Sequence, residues 1–269
     1  MSTWQLDMLR FSLKKSQKLE LLERMLQALP IGDARCLLVT NGDNTGALNF
    51  RFRQLGGRWR WAELEAKGIA DMEAFLGEPV DAAQPNALPF DDMTFERIVV
   101  IDVHEHLHDT AIFNKEIARV LAPGGLAIIT TPNGDQRLPV AVLKRWIGMT
   151  EEAYGHVVQG YRTEELENML RGVGLTPAGR GAYARFFTEL VELAINFGYT
   201  KVLTTRSNGH QPGAGEIAPR TAGQLSSVGR SYRIYRTLFP LIRMFASLDR
   251  LVPGRGGYAV AVAARKPAA

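Results

Sequence analysis

An open, doubly wound α/β sheet is the fold class this sequence predicts, and three observations predict it. Short apolar runs alternate with longer stretches whose apolar residues recur at helical spacing, the pattern of strands joined by crossover helices. One run, Ile98-Val99-Val100-Ile101, is apolar without alternation, as a central strand covered on both faces requires. The first strand-like run leads directly into Asn41-Gly42-Asp43-Asn44-Thr45-Gly46, where glycines allow a sharp turn and a close backbone approach to a ligand before a helical pattern resumes. With 269 residues, 46% hydrophobic and 22% charged, the chain can bury one substantial core. We divide it into an N-terminal helical extension, 1–30, and one domain, 31–269, with an insertion at about 186–256.

The elements follow in order. Leu6, Leu9 and Leu13, then Leu19, Leu22, Met25, Leu26 and Leu29, define an amphipathic helix or helix pair that ends by Pro30. A strand is expected at Cys36–Thr40, a helix near Gly46–Leu55, a strand at Arg58–Leu64, a helix near Ile69–Leu76 and a strand at Ile98–Asp102. Phe113, Ile117, Val120 and Leu121 form one helical face, which Pro123-Gly124-Gly125 should end before a strand at Leu126–Thr131, closed by Pro132-Asn133. Thr163 is the expected N-cap of a helix with Leu166, Met169, Leu170 and Val173 on its buried stripe. Residues 204–224 read as a long mobile loop, 232–251 as an amphipathic piece interrupted by Pro240, and 257–265 as the last strand.

Composition narrows the function classes. Thirty-two basic against 28 acidic residues make a mixed surface rather than a polycation, so nucleic-acid binding is not expected. The single cysteine, Cys36, excludes an internal disulfide and a cysteine-rich metal site, and fits a cytoplasmic setting. Lys14, Lys15, Lys18, Glu20 and Glu23 break up the N-terminal leucines, so no signal peptide is expected there, and no apolar stretch has transmembrane length. Arg230, Arg233, Arg236, Arg243 and Arg250 interleave with apolar residues in the insertion, a pattern suited to a helical lid or to peripheral membrane contact through 230–251.

The segment Leu88-Pro89-Phe90-Asp91-Asp92 through Phe95 and Ile98–Asp102 to Glu105-His106-Leu107 carries the most specific signal. It continues into Glu116-Ile117-Ala118-Arg119-Val120-Leu121-Ala122-Pro123-Gly124-Gly125, Thr130-Thr131-Pro132-Asn133, Gly155-His156-Val157 and Tyr161-Arg162-Thr163-Glu164-Glu165-Leu166. In this order the motifs resemble the class I S-adenosylmethionine-dependent methyltransferases of the broad small-molecule group, over roughly residues 34–180 plus the last strand. The resemblance implies a Rossmann-like, doubly wound seven-stranded sheet, S-adenosylmethionine as cofactor, and methyl transfer to a small or lipid-linked acceptor, with oxygen expected as the acceptor atom.

It also implies a site map. The methionine moiety of the cofactor falls near Gly42, Asp43, Asn44, Gly46 and Asp102, with Val103 and His104 following. After the second strand, Glu63 or Glu65 can accept from ribose hydroxyls; the resemblance places the ribose at Glu63 and the adenine near Leu88 and Pro89. The chain departs from the family where Thr40 replaces an acid before the glycine turn and Asn44 replaces the middle glycine. That departure motivates the alternative of a catalytically inactive, methyltransferase-fold binding or partner module. A dinucleotide-dependent dehydrogenase is disfavoured, because no Gly-x-Gly-x-x-Gly opens the first helix. His106 and His156 are the candidate bases, since imidazole titrates near neutrality; Tyr154 and Tyr161 are candidates for the acceptor pocket. Alternating histidines at 104, 106 and 108 lack the spacing of a helical metal pair and show no third ligand, so no metal is expected.

Overall fold

The structure, a computed structural model, describes residues 4–27, 30–42, 44–149, 154–206, 219, 222–252 and 256–268. Among these, seven strands form one sheet: β1 (Arg35–Thr40), β2 (Arg58–Glu63), β3 (Asp81–Ala82), β4 (Phe95–Ile101), β5 (Leu121–Pro132), β6 (Thr176–Tyr183) and β7 (Ala259–Arg265). Their order is β3-β2-β1-β4-β5-β7-β6. All neighbours run parallel except β7, which is antiparallel to both β5 and β6. The order reverses between β1 and β4, so the loops after those two strands flank the crevice where such sheets bind ligands.

Side chains of β1 alternate between two cores, as the pleat dictates. Leu37 and Val39 pack with Ile98, Val100 and Ile129 against α5 (Thr110–Val120) and α7 (Thr163–Arg171) through Phe113, Ile117, Leu166 and Leu170. Cys36 and Leu38 pack with Val99, Ile101 and Ile128 on the other face. That face is covered by α2 (Leu13–Gln27), α3 (Ala47–Arg53) and α4 (Ile69–Leu76). Leu19, Leu22 and Leu26 of α2 are buried there, Leu22 and Leu26 completely, so the N-terminal helix is a structural part of the sheet's cover. The helix pair foreseen from the leucines is α1 (Trp4–Arg10) followed by α2; residues 28 and 29 lie outside the described residues. α6 (Pro139–Trp146) follows β5.

Several boundaries differ from expectation for local reasons. Pro123-Gly124-Gly125 does not separate helix from strand. α5 stops at Val120, Leu121 already pairs with Phe95, and the triplet bulges out of β5, held by Gly124 N donating to Lys266 O at 3.0 Å and Lys266 N donating to Gly125 O at 3.1 Å. Thr163 is the first residue of α7 rather than its cap; the cap position is Arg162, whose backbone N donates to Glu165 Oε2 at 2.8 Å.

Between β6 and β7 lie α8 (Phe186–Arg206), α9 (Ala222–Ser227) and α10 (Gly229–Ala246). The loop expected at 204–224 is helical at both its described ends, while 207–218, 220 and 221 lie outside the described residues. Pro240 sits inside α10 without interrupting it. Proline removes one intrahelical bond, but Tyr235 and Phe239 anchor the helix to Phe11. Tyr235 Oη donates to the Phe11 carbonyl, and the Phe11 and Phe239 rings meet edge-on with centroids 5.2 Å apart. Asp249 caps α8 by accepting from Phe187 N at 2.7 Å and Thr188 N at 3.1 Å. Among the described residues, no helix is long and apolar enough to cross a membrane.

Because Leu22 is fully buried between α2 and the sheet, Leu22→Ala should destabilise the whole domain by about 2–4 kcal/mol. Urea unfolding of the full chain checks this. A loss below about 0.5 kcal/mol would mean that α2 does not belong to the cooperative core.

Candidate functional site

The turn after β1 is built around one carboxylate. Glu63, at the end of β2 and 1% exposed, accepts from Thr40 Oγ1 at 2.6 Å, Gly42 N at 2.7 Å and Glu65 N at 3.0 Å. Burial pushes this carboxyl up, and these donors act against that. Asn44 completes the turn from the other side. Its amide donates to Asn49 Oδ1 at 2.6 Å and Thr40 Oγ1 at 3.3 Å, and its oxygen accepts from Gly46 N at 3.0 Å. A side-chain amide thus bridges backbone and hydroxyl groups across the turn. Gly42 (φ 73°) and Gly46 (φ 88°) are left-handed, and a Cβ at Gly42 would lie 1.8 Å from Glu65 Oε2. The carboxylate lying over the turn is therefore Glu65, while Glu63 lies beneath it. Asp43 lies outside the described residues.

Across the crevice, β4 ends in Asp102, a non-glycine residue at φ 50°. Such backbone is costly and persists where neighbours enforce it. Here Asp102 N donates to Thr130 O at 3.1 Å, and Thr130 Oγ1 donates to Asp102 Oδ1 at 2.8 Å. The other carboxylate oxygen is ion-paired with Lys18 of α2, whose side chain is 5% exposed. Burial opposes the charge on Asp102, and Lys18 beside it holds the carboxyl below its ordinary value. Lys15, Lys18, Thr40, Asn41, Asn44, Leu48, Ile101 and Asp102 line a cleft of only about 10 Å³, so a ligand larger than water requires α2 to give way. The two lysines were not singled out by sequence; an N-terminal helix read as packing hides which of its polar residues face the strand ends.

The cover continues as a buried ion network. Glu189 of α8, 1% exposed, is paired with both Lys14 and Lys144. Burial alone would raise its carboxyl, but the two ammonium groups hold it down to about 2. Gln17 ties α2 to the same region, donating to Thr188 Oγ1 at 2.9 Å and accepting from Ala184 N at 2.8 Å.

Beyond Asp102 the chain turns through Val103–Leu107, and the expected site residues separate. Val103 is fully buried in the core that contains Leu88, Leu107 and Phe113. His104 is also fully buried, its Nε2 lying 2.8 Å from Asn114 Oδ1, and burial lowers its imidazole to about 4. Neither lines the cleft. His106 and His156, fifty residues apart in the chain, do come together, with rings edge-on and centroids 4.9 Å apart. His106 Nδ1 lies 2.9 Å from the carbonyl of Gly155; that contact requires the proton on Nδ1 and leaves the Nε2 lone pair free. Burial, then the neighbouring His106, lower His156 to about 4, so it is neutral at physiological pH. Glu105 lies between the segments: its carbonyl accepts from Val157 N at 2.8 Å and Val158 N at 3.2 Å, and its Oε2 from Thr131 Oγ1 at 3.2 Å. One ligand atom from each of Glu105, His106 and His156 lies within 4.8 Å of the others. Tyr154 stands beside His156, ring centroids 5.7 Å apart, while Tyr161 lies against His104 at 6.4 Å.

Leu88 is buried with Ala83 and Ala62 near the carboxyl ends of β2 and β3. Pro89 faces elsewhere. It lines a cavity of about 380 Å³ with Arg35, Arg58 and Arg60, at the amino ends of β1 and β2, on the opposite rim of the sheet from the glycine turn.

Known proteins resemble this chain in part of its sequence and in its fold. A family model described as "Methyltransferase domain" matches residues 65–178. The ubiquinone biosynthesis O-methyltransferase of Chelativorans sp. (strain BNC1) is 28% identical over 123 residues, 44% of this chain and 47% of the relative. The ubiquinone/menaquinone biosynthesis C-methyltransferase UbiE of Desulfotalea psychrophila (strain LSv54 / DSM 12343) is 30% identical over 118 residues, 37% of this chain and 48% of the relative. The chain thus spans about half the length of the curated relatives it matches. Among solved structures, one from Galdieria sulphuraria, described as a sarcosine dimethylglycine methyltransferase, superposes with a TM-score of 0.58 at 14% identity, covering 99% of this chain and 92% of that one. The cyclase SpnF does so at 0.57 and 18%, covering 95% and 82%. A Haemonchus contortus phosphoethanolamine N-methyltransferase bound to S-adenosylhomocysteine gives 0.55 and 15%, covering 94% and 52%. At these identities the structural likeness is one of fold.

The Glu189 network makes stability depend on pH in one direction. A carboxylate held near 2 in the fold and near 4.5 when unfolded stabilises the fold fully above 4.5 and loses that contribution as pH falls toward 2. Glu189→Gln should therefore cost on the order of 3 kcal/mol at neutral pH, and the gap from wild type should shrink below about pH 4. Urea midpoints of both proteins at neutral and acid pH test this; a gap independent of pH would remove the network from the account.

Proposed function

We propose, from the methyltransferase-domain match over residues 65–178 and the fold, that this chain is a class I S-adenosylmethionine-dependent methyltransferase and transfers a methyl group to an oxygen of a small or lipid-linked acceptor. The observation that carries the reading is the pairing of Asp102 with Lys18 beside the Gly42–Gly46 turn. A carboxylate and an ammonium side by side are complementary to the two charged ends of an α-amino acid, and the cofactor's methionine moiety is one. The residues present fit that group once α2 gives way and the pair opens. Asp102 takes its ammonium, Lys18 its carboxylate, and the left-handed glycines let the turn approach it. Glu63 keeps the turn in shape, and Glu65, lying over Gly42, is the carboxylate offered to the ribose. Leu88 supplies an apolar wall for the adenine.

When bound, the cofactor supplies an electrophilic methyl group. The chain's task is then alignment and, for a hydroxyl acceptor, removal of one proton. His106 is the proposed base, because its Nε2 lone pair is free while its Nδ1–H is anchored. His156 and Tyr154 shape the acceptor side. Two curated relatives are named for ubiquinone biosynthesis, which supports a lipid-linked acceptor. A surface feature supports it too. Ile234, Leu238, Leu241, Phe245 and Leu248, spaced four and three residues apart, are exposed along α10 and the turn after it, among the exposed arginines 230, 233, 236, 243 and 250. This is the composition of a helix that lies on an anionic lipid surface. The alternative of a catalytically inactive binding or partner module rests on Thr40 and Asn44, which replace the acid and the middle glycine of the family pattern.

Calorimetric titration separates these readings. Wild type should bind S-adenosylhomocysteine, and Lys18→Met should weaken that affinity by about 10–100-fold. Methylthioadenosine, which lacks the amino-acid end, should bind both proteins within about twofold. If wild type binds neither S-adenosylmethionine nor its product at about millimolar concentration, the methyltransferase reading falls and the binding module stands. For the surface, wild type should sediment with vesicles of phosphatidylglycerol and phosphatidylcholine, and Leu241→Asp with Phe245→Asp should release it. Equal sedimentation of both proteins, or none by wild type, removes the lipid contact.

A further inference from the structure

The three donors Glu105, His106 and His156 form a group that proton transfer alone does not explain. Spacing along the chain shows two of them and hides the third, because His156 reaches the site through a loop fifty residues on. We propose that Glu105, His106 and His156 hold a divalent first-row transition-metal ion, of which Zn²⁺ is the test case. Its remaining coordination positions then face the acceptor side and take an oxygen ligand.

Three features carry this. The donor set, two imidazoles and one carboxylate, is one that such ions bind, and it leaves positions open. The donors converge from two segments that are tied together. Glu105 O accepts from Val157 N and Val158 N, and His106 Nδ1 donates to Gly155 O, so the turn after β4 and the 155–158 loop are held in register by three hydrogen bonds. Each of two donors is oriented by a partner that leaves a ligand atom available: the Gly155 carbonyl fixes the His106 tautomer with Nε2 free, and Thr131 Oγ1 donates to Glu105 Oε2. That arrangement is the usual support of metal-bound imidazoles and carboxylates.

Closing 4.8 Å between ligand atoms to the roughly 3–3.5 Å that ligands around one ion adopt takes side-chain adjustments of under about 1 Å. Charge permits the ion. Lys14 and Lys144 lie near His156, but both are paired with Glu189. His106 and His156 are only partly buried, which leaves the ion a path in. With the ion bound, His106 Nε2 is a ligand in place of the base role given above, and the ion lowers the pKa of an acceptor hydroxyl it holds, so that the proton leaves to solvent before methyl transfer. This role deepens the methyltransferase reading and rests on it; binding of the ion does not.

The test uses the full, untagged chain, freed of metal by chelation and dialysis. Calorimetry should show one Zn²⁺ per chain at micromolar affinity or tighter, and Mg²⁺, which prefers all-oxygen sites, should bind far more weakly. Addition of Co²⁺ should produce visible absorption of a low-coordinate nitrogen and oxygen site. His156→Gln and Glu105→Gln should each weaken Zn²⁺ by about 10–100-fold, whereas His108→Asn, at an exposed histidine outside the group, should not. If the variants fail to fold, the Co²⁺ spectrum and stoichiometry of wild type still decide. Absence of a 1:1 site in wild type, or Zn²⁺ affinity that survives His156→Gln, overturns the proposal. S-adenosylhomocysteine titrated into the same samples keeps the two readings apart. Metal without cofactor sinks only the methyltransferase reading; cofactor without metal sinks only the metal site.

Discussion

The position of α2 across the carboxyl ends of β1 and β4 is the constraint on which the rest of the site depends. Leu19, Leu22 and Leu26 seal one face of the sheet, and the same helix turns Lys14, Gln17 and Lys18 toward the strand ends. Because a helix is rigid over this length, burying the leucines fixes where the lysines go. Lys18 reaches Asp102, Lys14 reaches Glu189, and Gln17 bridges the end of β6 to the start of α8. The cleft at the switch point is consequently bounded on one side by the chain's own N-terminal segment. Access to it is a question of how α2 and α8 are held rather than of the sheet.

The turn after β1 shows the same economy in a different form. Two residues that depart from the family pattern, Thr40 and Asn44, are hydrogen-bonded to each other, to Glu63 and to Asn49. Their side chains perform bridging across the turn that a shorter, glycine-richer loop would leave to backbone alone. Glu63 is thereby occupied beneath the turn, while the Glu65 carboxylate lies against Gly42.

Sequence periodicity located the five inner strands, because each buried strand carries its signal locally: Ile98–Ile101 is apolar on both faces, and Phe113, Ile117 and Val120 share one helical face; it missed the edge strands, the two-residue β3 and the largely exposed β6. It erred where tertiary contacts decide an outcome that local propensity opposes. Pro240 is absorbed by a helix pinned at Tyr235 and Phe239, and Pro123-Gly124-Gly125 bulges because Lys266, just past the last strand, holds it. The site was legible in the same uneven way. Gly42, Gly46 and Asp102 stand at strand ends, where spacing points. Pro89, Val103 and His104 are adjacent to site residues in the chain yet face the other rim or the core; after β4 the chain passes through left-handed Asp102 into a 3-10 turn that folds Val103 and His104 inward together. Lys18, Glu189 and the joining of His156 to His106 arise from segments far apart in the chain, and no periodicity encodes them.

The character of the buried contacts is itself an argument. Burying an ion pair costs desolvation that mutual attraction seldom exceeds, and a hydrophobic replacement of equal volume is often as stable or more so. A helix required only to cover the strand ends is most simply packed with apolar side chains, as α2 is along Leu19, Leu22 and Leu26. Where α2 and α8 meet Asp102 and the 155–158 loop, the chain instead buries Lys18, Glu105 and Glu189 near the half-buried Asp102, and holds Asp102 in left-handed backbone. Stability gives no reason to prefer that arrangement. The zwitterionic ligand and acceptor proposed above give one, because they supply opposite charges and hydrogen-bonding atoms to these side chains.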